Sequence, residues 1–245
     1  MKRVFSSLLF FYMSATSLKA QVLHGKNEIG ISGGVMVYEG DLAPALGSYK
    51  TPKPAFSMYY NRLLNNYFSV RGTVGIGGLR SDESMYPSKA YRLKRNFDFS
   101  SSVKEISGMV IFNIFGDNAK TSGIKLSPYI FTGIGVSFLN IKRNWSNMNV
   151  DDFHSGSAVL QGLAIDTVHA LPSSAPFIPL GLGIKYPIGH NLSLSAEGSY
   201  RFLFTDYLDG FSYSAGPGRK DGYYTLSIGL TYNFGKNKLN CPTVK

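Results

Sequence analysis

Several things are scarce in this chain, and each scarcity removes a class of protein. There is one cysteine in 245 residues, Cys241, so no internal disulfide framework holds the fold together. Charged residues make up only 16% of the sequence, against ~25% in ordinary globular domains. The four histidines, His24, His154, His169 and His190, fall at no metal-ligand spacing. No Gly-rich phosphate loop is present, and no cofactor is called for. After residue 20 there is no apolar run of the ~18 residues that marks a helical membrane span.

What is present is aromatic and glycine-rich: 16 Tyr, 17 Phe and 27 Gly. With few charges, that composition suits a sheet whose outer face meets lipid. Residues 1–20 read as a secretory signal, with Lys2 and Arg3 as the positive n-region, Val4 to Ala15 as the apolar core and Ala20 before the cleavage point. Removing it lowers the formal charge from +10 to +7. For an exported chain the remaining positive charge points to anionic outer-membrane lipid or acidic protein surfaces, not nucleic acid. The expected organisation is a signal at 1–20, one domain at 21–234 and a tail at 235–245.

Within that domain, apolar and polar residues alternate with period two, the signature of strands. On 191–204, Leu192, Leu194, Ala196, Gly198, Tyr200, Phe202 and Phe204 take one face and Ser193, Ser195, Glu197, Ser199 and Arg201 the other. Segments 177–186 and 224–234 follow the same rule. Less regular ones cover 28–39, 54–62, 67–80, 104–115 and 127–141, which makes eight. The connections alternate long and short: 40–53, 63–66, 81–103, 116–126, 142–176, 187–190 and 205–222. That rhythm predicts an all-β, eight-stranded antiparallel transmembrane β-barrel with long extracellular loops and short periplasmic turns.

In such a barrel the polar face lines the lumen, and eight strands leave room only for side chains. The lumen set contains Glu28, Arg71, Glu105, Lys185, Glu197 and Arg201, three acids and three bases. They are expected to form an ion-pair network that fills the interior and leaves no open channel; the alternative places some of them at the rims. Tyr60, Tyr67, Tyr186, Phe204 and Tyr232 are expected in aromatic girdles. Alternate-strand glycines make room in a crowded lumen or relieve curvature.

Ser227 to Phe234 places Gly229 ahead of two outward aromatics, Tyr232 and Phe234. This resembles the signal by which outer-membrane assembly machinery recognises a last strand; the plainer reading is an aromatic-edged strand. In the oxidising periplasm the lone Cys241 suggests a disulfide to a partner, with an idle tail as the alternative. The basic loop 81–103, with Arg80, Lys89, Arg92, Lys94 and Arg95, is either solvated or a holder of anionic lipopolysaccharide. No catalytic residue is assigned, although His154 lies near Asp151, Asp152 and Ser155, and His169 near Asp166 and Ser173.

Four motifs in series carry a family resemblance: Tyr38-Glu39-Gly40-Asp41-Leu42, Lys53-Pro54-Ala55-Phe56, Arg95-Asn96-Phe97-Asp98-Phe99, and Ser127 to Val136. Together with the Ala-Gln end of the signal and the Cys-Pro tail, they resemble the PorG-like barrels of Bacteroidota. The resemblance implies a role in the type IX secretion system, which in some species supports gliding. There the barrel is similar to an anchor that holds a periplasmic ring made of a lipoprotein and its partner. Docking would then use the short turns and the tail, with Lys236, Lys238 and Cys241 as contacts. Two other readings stand beside it. One is an adhesion or envelope-integrity barrel working through its loops. The other is a lipid-modifying or proteolytic barrel using His154 or His169.

Overall fold

A computed structural model of the chain describes residues 27–43, 50–86, 90–116, 126–216 and 221–234. The signal and the tail, including Lys236, Lys238 and Cys241, lie outside them.

Eight strands follow one another: β1 (Asn27–Glu39), β2 (Lys53–Leu63), β3 (Phe68–Asp82), β4 (Asp98–Asn113), β5 (Ser127–Asn144), β6 (Ser174–Pro187), β7 (Leu192–Leu203) and β8 (Gly222–Phe234). Each pairs antiparallel with its neighbour in sequence, and β8 returns to pair with β1 from Asn27↔Phe234 to Glu39↔Gly222. The result is a closed up-and-down barrel, the only sheet geometry with no edge strand.

The period-two pattern sorts side chains as the sequence predicts. Leu226, Ile228, Leu230, Tyr232 and Phe234 of β8 face outward and are exposed, while Thr231 is buried. On β6 the outward run from Ile178 to Tyr186 covers eight residue steps. That is about 27 Å along the strand and about 21 Å along the axis at a ~40° tilt, close to the height of a lipid-facing band. Ile134 and Leu182 are 74% and 65% exposed, which no water-facing core strand tolerates in series.

Two strands run further than the alternation indicates. The pattern starts the fourth segment at 104 and ends the fifth at 141, yet the ladder between them continues to Asp98↔Asn144. Ser100, Ser102, Asn140 and Lys142 occupy outward positions there. The inward partners there are Phe99, Val103, Leu139 and Ile141, so the pattern inverts to apolar inside and polar outside while the hydrogen bonds persist. The long loops also contain two helices that the alternation did not predict, α1 (Ala90–Arg95) and α2 (Ala158–Val168). Ser157 caps α2, its hydroxyl accepting from Leu160 N–H.

Inward glycines are matched to aromatic rings. A Cβ on Gly30 would lie 2.3 Å from the Tyr59 ring, and one on Gly183 would lie 2.5 Å from the Tyr129 ring. The outward Gly33 meets only Phe56, at 3.6 Å. Gly30→Leu should therefore cost about 1–3 kcal/mol through overpacking and reduce the compact, unheated band on a denaturing gel. Gly33→Leu should leave that band unchanged. Equal effects of the two would contradict the packing described.

Candidate functional site

Two polar assemblies occupy the barrel, one in the lumen and one over its long-loop end. In the lumen, Lys185 Nζ donates to Glu28 Oε1 at 2.8 Å. Asn61 Nδ2 donates to the other oxygen of Glu28 at 2.8 Å, and Arg71 Nε donates to Asn61 Oδ1 at 2.8 Å. Arg71 then pairs with Glu197 at 2.5 Å, and Tyr129 donates to the same Glu197 oxygen at 2.6 Å. The Arg71 guanidinium also lies 4.3 Å from the centre of the Tyr59 ring. Higher up, Arg201 pairs with Glu105 at 3.3 Å, and the Tyr223 hydroxyl donates to Glu105.

All six charged residues named from the sequence therefore sit in the lumen as three ion pairs. Each acid meets a base across the barrel because inward positions of non-adjacent strands converge on a narrow interior. Asn61, Tyr59, Tyr129 and Tyr223 are the members that alternation did not single out. Their inward parity was readable, but a neutral side chain at an inward position carries no signal of the charge it will bridge. Among the described residues a lumen cavity of about 40 Å³ lies between Tyr59, Arg71, Phe131 and Glu197, and side chains fill the space around it.

Over the long-loop end lies a lid with its own core. Phe97, Leu42, Leu208 and Phe211 are fully buried, and Phe97 stacks on Phe211 with ring centres 4.4 Å apart. Arg92 and Arg95 do not stand in solvent. They turn inward to the fully buried Glu83, Arg92 at 3.8 Å and Arg95 through a short bidentate pair. Arg95 also donates to Ser214 O and Ala215 O, tying loop 83–97 to loop 204–221. This overturns the solvated-loop reading for those two residues: a buried carboxylate needs paired donors more than water needs two arginines. Lys94 does stay exposed, 3.3 Å from Asp152.

From α2, the buried Asp166 accepts from Ser214 N–H at 2.9 Å, Ser214 Oγ at 2.5 Å and Tyr213 N–H at 3.2 Å. Those bonds latch the helix onto loop 204–221 and occupy the acid placed near His169 in sequence. His169 instead stacks on Tyr207, ring centres 4.0 Å apart. His154 sits in the turn before Ser157, its carbonyl accepting from Ser157 N–H.

The lid also holds two acids that crowd one hydroxyl. Tyr38 Oη lies 2.7 Å from Asp209 Oδ2 and 2.8 Å from Asp221 Oδ1. A phenol has one proton to donate, so the second contact is a hydrogen bond only if that carboxyl carries a proton of its own. Burial, then the neighbouring charge of Asp221, pushes Asp209 well above the usual carboxylate range. Asp221, desolvated and near Asp41 and Asp206, rises to about 8. The Tyr38-Glu39-Gly40-Asp41-Leu42 motif is thus a lid device: a Cβ on Gly40 would lie 2.0 Å from Asp221 Oδ1.

Fold and site together define a class: a closed eight-stranded antiparallel barrel, apolar outside, with a charge-paired interior and a packed lid. The chain belongs to the family described as Domain of unknown function (DUF6089), whose model matches residues 2–243. No curated protein matches the sequence. Among solved structures it is similar to Ail, the attachment invasion locus protein of Yersinia pestis, at 16% identity and TM-score 0.45, covering 86% of this chain and 99% of that one. It is similar also to Neisserial surface protein A at 14% and 0.46, covering 86% and 100%. OprG from Pseudomonas aeruginosa gives 11% and 0.44, covering 87% and 98%. These likenesses are weak; the barrel assignment stands on its own strand register.

Two outcomes follow from the site. Arg71→Met leaves the Glu197 carboxylate buried without its cation, which costs about 3–5 kcal/mol and lowers the urea midpoint of unfolding. Adding Glu197→Gln removes the second charge, keeps an acceptor for Tyr129, and should recover more than half of that loss. In the lid, folding holds protons that the unfolded chain releases above the ordinary Asp value of 3.8. Lid stability is therefore full below about pH 4 and declines as pH rises to about 8. Protease cutting in loop 204–221 should increase over that window, and Asp221→Asn should flatten the dependence. A cutting rate that does not change with pH would contradict a shared proton.

Proposed function

We propose that this protein is an outer-membrane barrel that works as a non-enzymatic anchor and assembly component. The single observation carrying that reading is the combination of an apolar exterior band with a lumen closed by its own ion pairs and capped by a packed lid. Such a body is fixed in lipid, because all of its backbone bonds are internal, and it has no path for conduction. In this reading residues 1–20 export the chain, outer-membrane lipid surrounds the band, and Gly229, Tyr232 and Phe234 on the last stretch of β8 are the part presented to assembly machinery.

The finer proposal is service in the type IX secretion system, docking the periplasmic ring of a lipoprotein and its partner. The four PorG-like motifs support it. Two of them, around Tyr38 and around Arg95, build the lid, so docking falls to the opposite end, where β8 finishes at Phe234, with Lys236, Lys238 and Cys241 of the following tail as the contacts. An adhesion or envelope-integrity barrel is the second reading. It is favoured by the exposed lid aromatics Tyr91 and Tyr213.

The two readings separate in cells. As an anchor, the full-length protein co-purifies with a periplasmic lipoprotein, through an adduct that reductant releases and Cys241→Ser abolishes. Secretion should fall when residues 235–245 are removed. Unchanged secretion and the absence of a periplasmic partner would leave the adhesion reading. In planar bilayers the purified barrel should show no steady ohmic conductance, and a stable open level would sink the sealed-lumen account.

A further inference from the structure

On the outer wall, cations stand at outward positions on only one side of the barrel above the apolar band. The ladders place Arg80, Ser100 and Lys142 side by side in one row across β3, β4 and β5. The next row toward the band is Gly78, Ser102 and Asn140, and the row after that is Ile76, Lys104 and Phe138. β6, β7 and β8 carry no charge at any outward position. Arg80 and Lys142 are therefore about 10 Å apart across two strand spacings, and Lys104 lies about 14 Å further along the strand. Between them is a floor of glycine, serine and asparagine.

That floor is a notch of about 300 Å³, lined by Lys53, Gly78, Ser100, Ser102, Asn140 and Lys142. Lys53 flanks it, its Cβ 3.4 Å from where a Cβ on Gly78 would lie. Arg80 touches Asp82 at 3.5 Å, and Asp98 accepts from Asn144 Nδ2 at 2.8 Å. Among the described residues, Lys53, Lys104 and Lys142 pair with no carboxylate. Below Lys104 the same strands show Val74, Ile106 and Val110 to the outside.

We propose that this notch binds a phosphate monoester on the headgroup of an outer-leaflet glycolipid, with Lys142 and the Ser100 and Ser102 hydroxyls in the notch and Arg80 and Lys104 flanking it above and below. The inference rests on the outer-membrane placement proposed above. Cations just above an apolar band meet lipid phosphates at their natural depth, and their aliphatic stems lie along the band. A free phosphate would share the chemistry but would gain nothing from the exposed Ile106 and Phe138 below; a glycolipid's acyl chains would.

The test uses the full chain, purified in detergent and stripped of lipid, with diphosphoryl lipid A, its dephosphorylated form and inorganic phosphate as probes, read by native mass spectrometry. Diphosphoryl lipid A should be retained and the dephosphorylated form should not, while millimolar inorganic phosphate should fail to displace it. Each cation near an anionic headgroup is worth about fivefold in affinity, so Arg80→Gln/Lys104→Gln/Lys142→Gln should lose roughly 100-fold. Arg62→Gln, at the other rim, should change nothing. Equal retention of both lipids, full retention by the triple variant, or displacement by inorganic phosphate would each overturn the site. If the triple variant does not fold, the two-lipid comparison on the unaltered protein still decides. A chain that stays soluble without detergent would sink the membrane placement itself, whereas a detergent-bound barrel indifferent to phosphorylation would sink only the site.

Discussion

Closure of β8 onto β1 is the constraint from which the other features follow. An open eight-stranded sheet of this sequence would expose two rows of unpaired backbone groups beside an apolar face, and no solvent satisfies both at once. Once closed, the sheet has no edge, and every side chain must take one of two environments. The apolar set goes outside, where it forms a continuous band. The polar set is forced into a space too narrow for bulk water, where each charge must find its opposite among side chains from other strands. Lys185 with Glu28, Arg71 with Glu197 and Arg201 with Glu105 are the solution to that problem.

The same reasoning explains why the ion pairs link distant strands. Glu28 stands on β1 and Lys185 on β6, 157 positions apart; Arg71 on β3 meets Glu197 on β7. Such pairs brace the barrel across its diameter, in addition to the ladders that run around it. Their individual stabilisation is modest once desolvation is counted. Their consequence is large: the interior is filled by side chains whose charges neutralise one another.

The lid extends that logic beyond the band. Four loops that share an apolar core are tied together by buried carboxylates. Glu83 gathers two arginines, Asp166 gathers loop amides and hydroxyls, and the Asp209–Asp221 pair shares a tyrosine. Two of these three knots involve motif residues, around Tyr38 and Arg95. Each occupies a place where a different side chain would leave a buried charge unmatched or fill space that only Gly40 vacates.

The strand count, the outward and inward faces, the alternation of loop lengths and the six lumen charges were legible in the sequence, because period-two patterning records directly which side of a sheet each residue takes. The extensions of β4 and β5 were not, since there the faces exchange character, with Phe99, Val103, Leu139 and Ile141 inside and polar residues outside, while the ladder continues. Nor was the fate of Arg92 and Arg95: a basic run reads as solvated until a buried Glu83 is brought beneath it. The sequence by itself determined a two-faced sheet of eight strands. Only the closed tertiary structure decided which charge pairs with which, that Asp209 and Asp221 share one proton donor, and that Arg80 and Lys142 stand in one outward row beside a notch floored by Ser100 and Ser102. Those contacts depend on register and barrel radius, and neither quantity is written in any one segment of the chain.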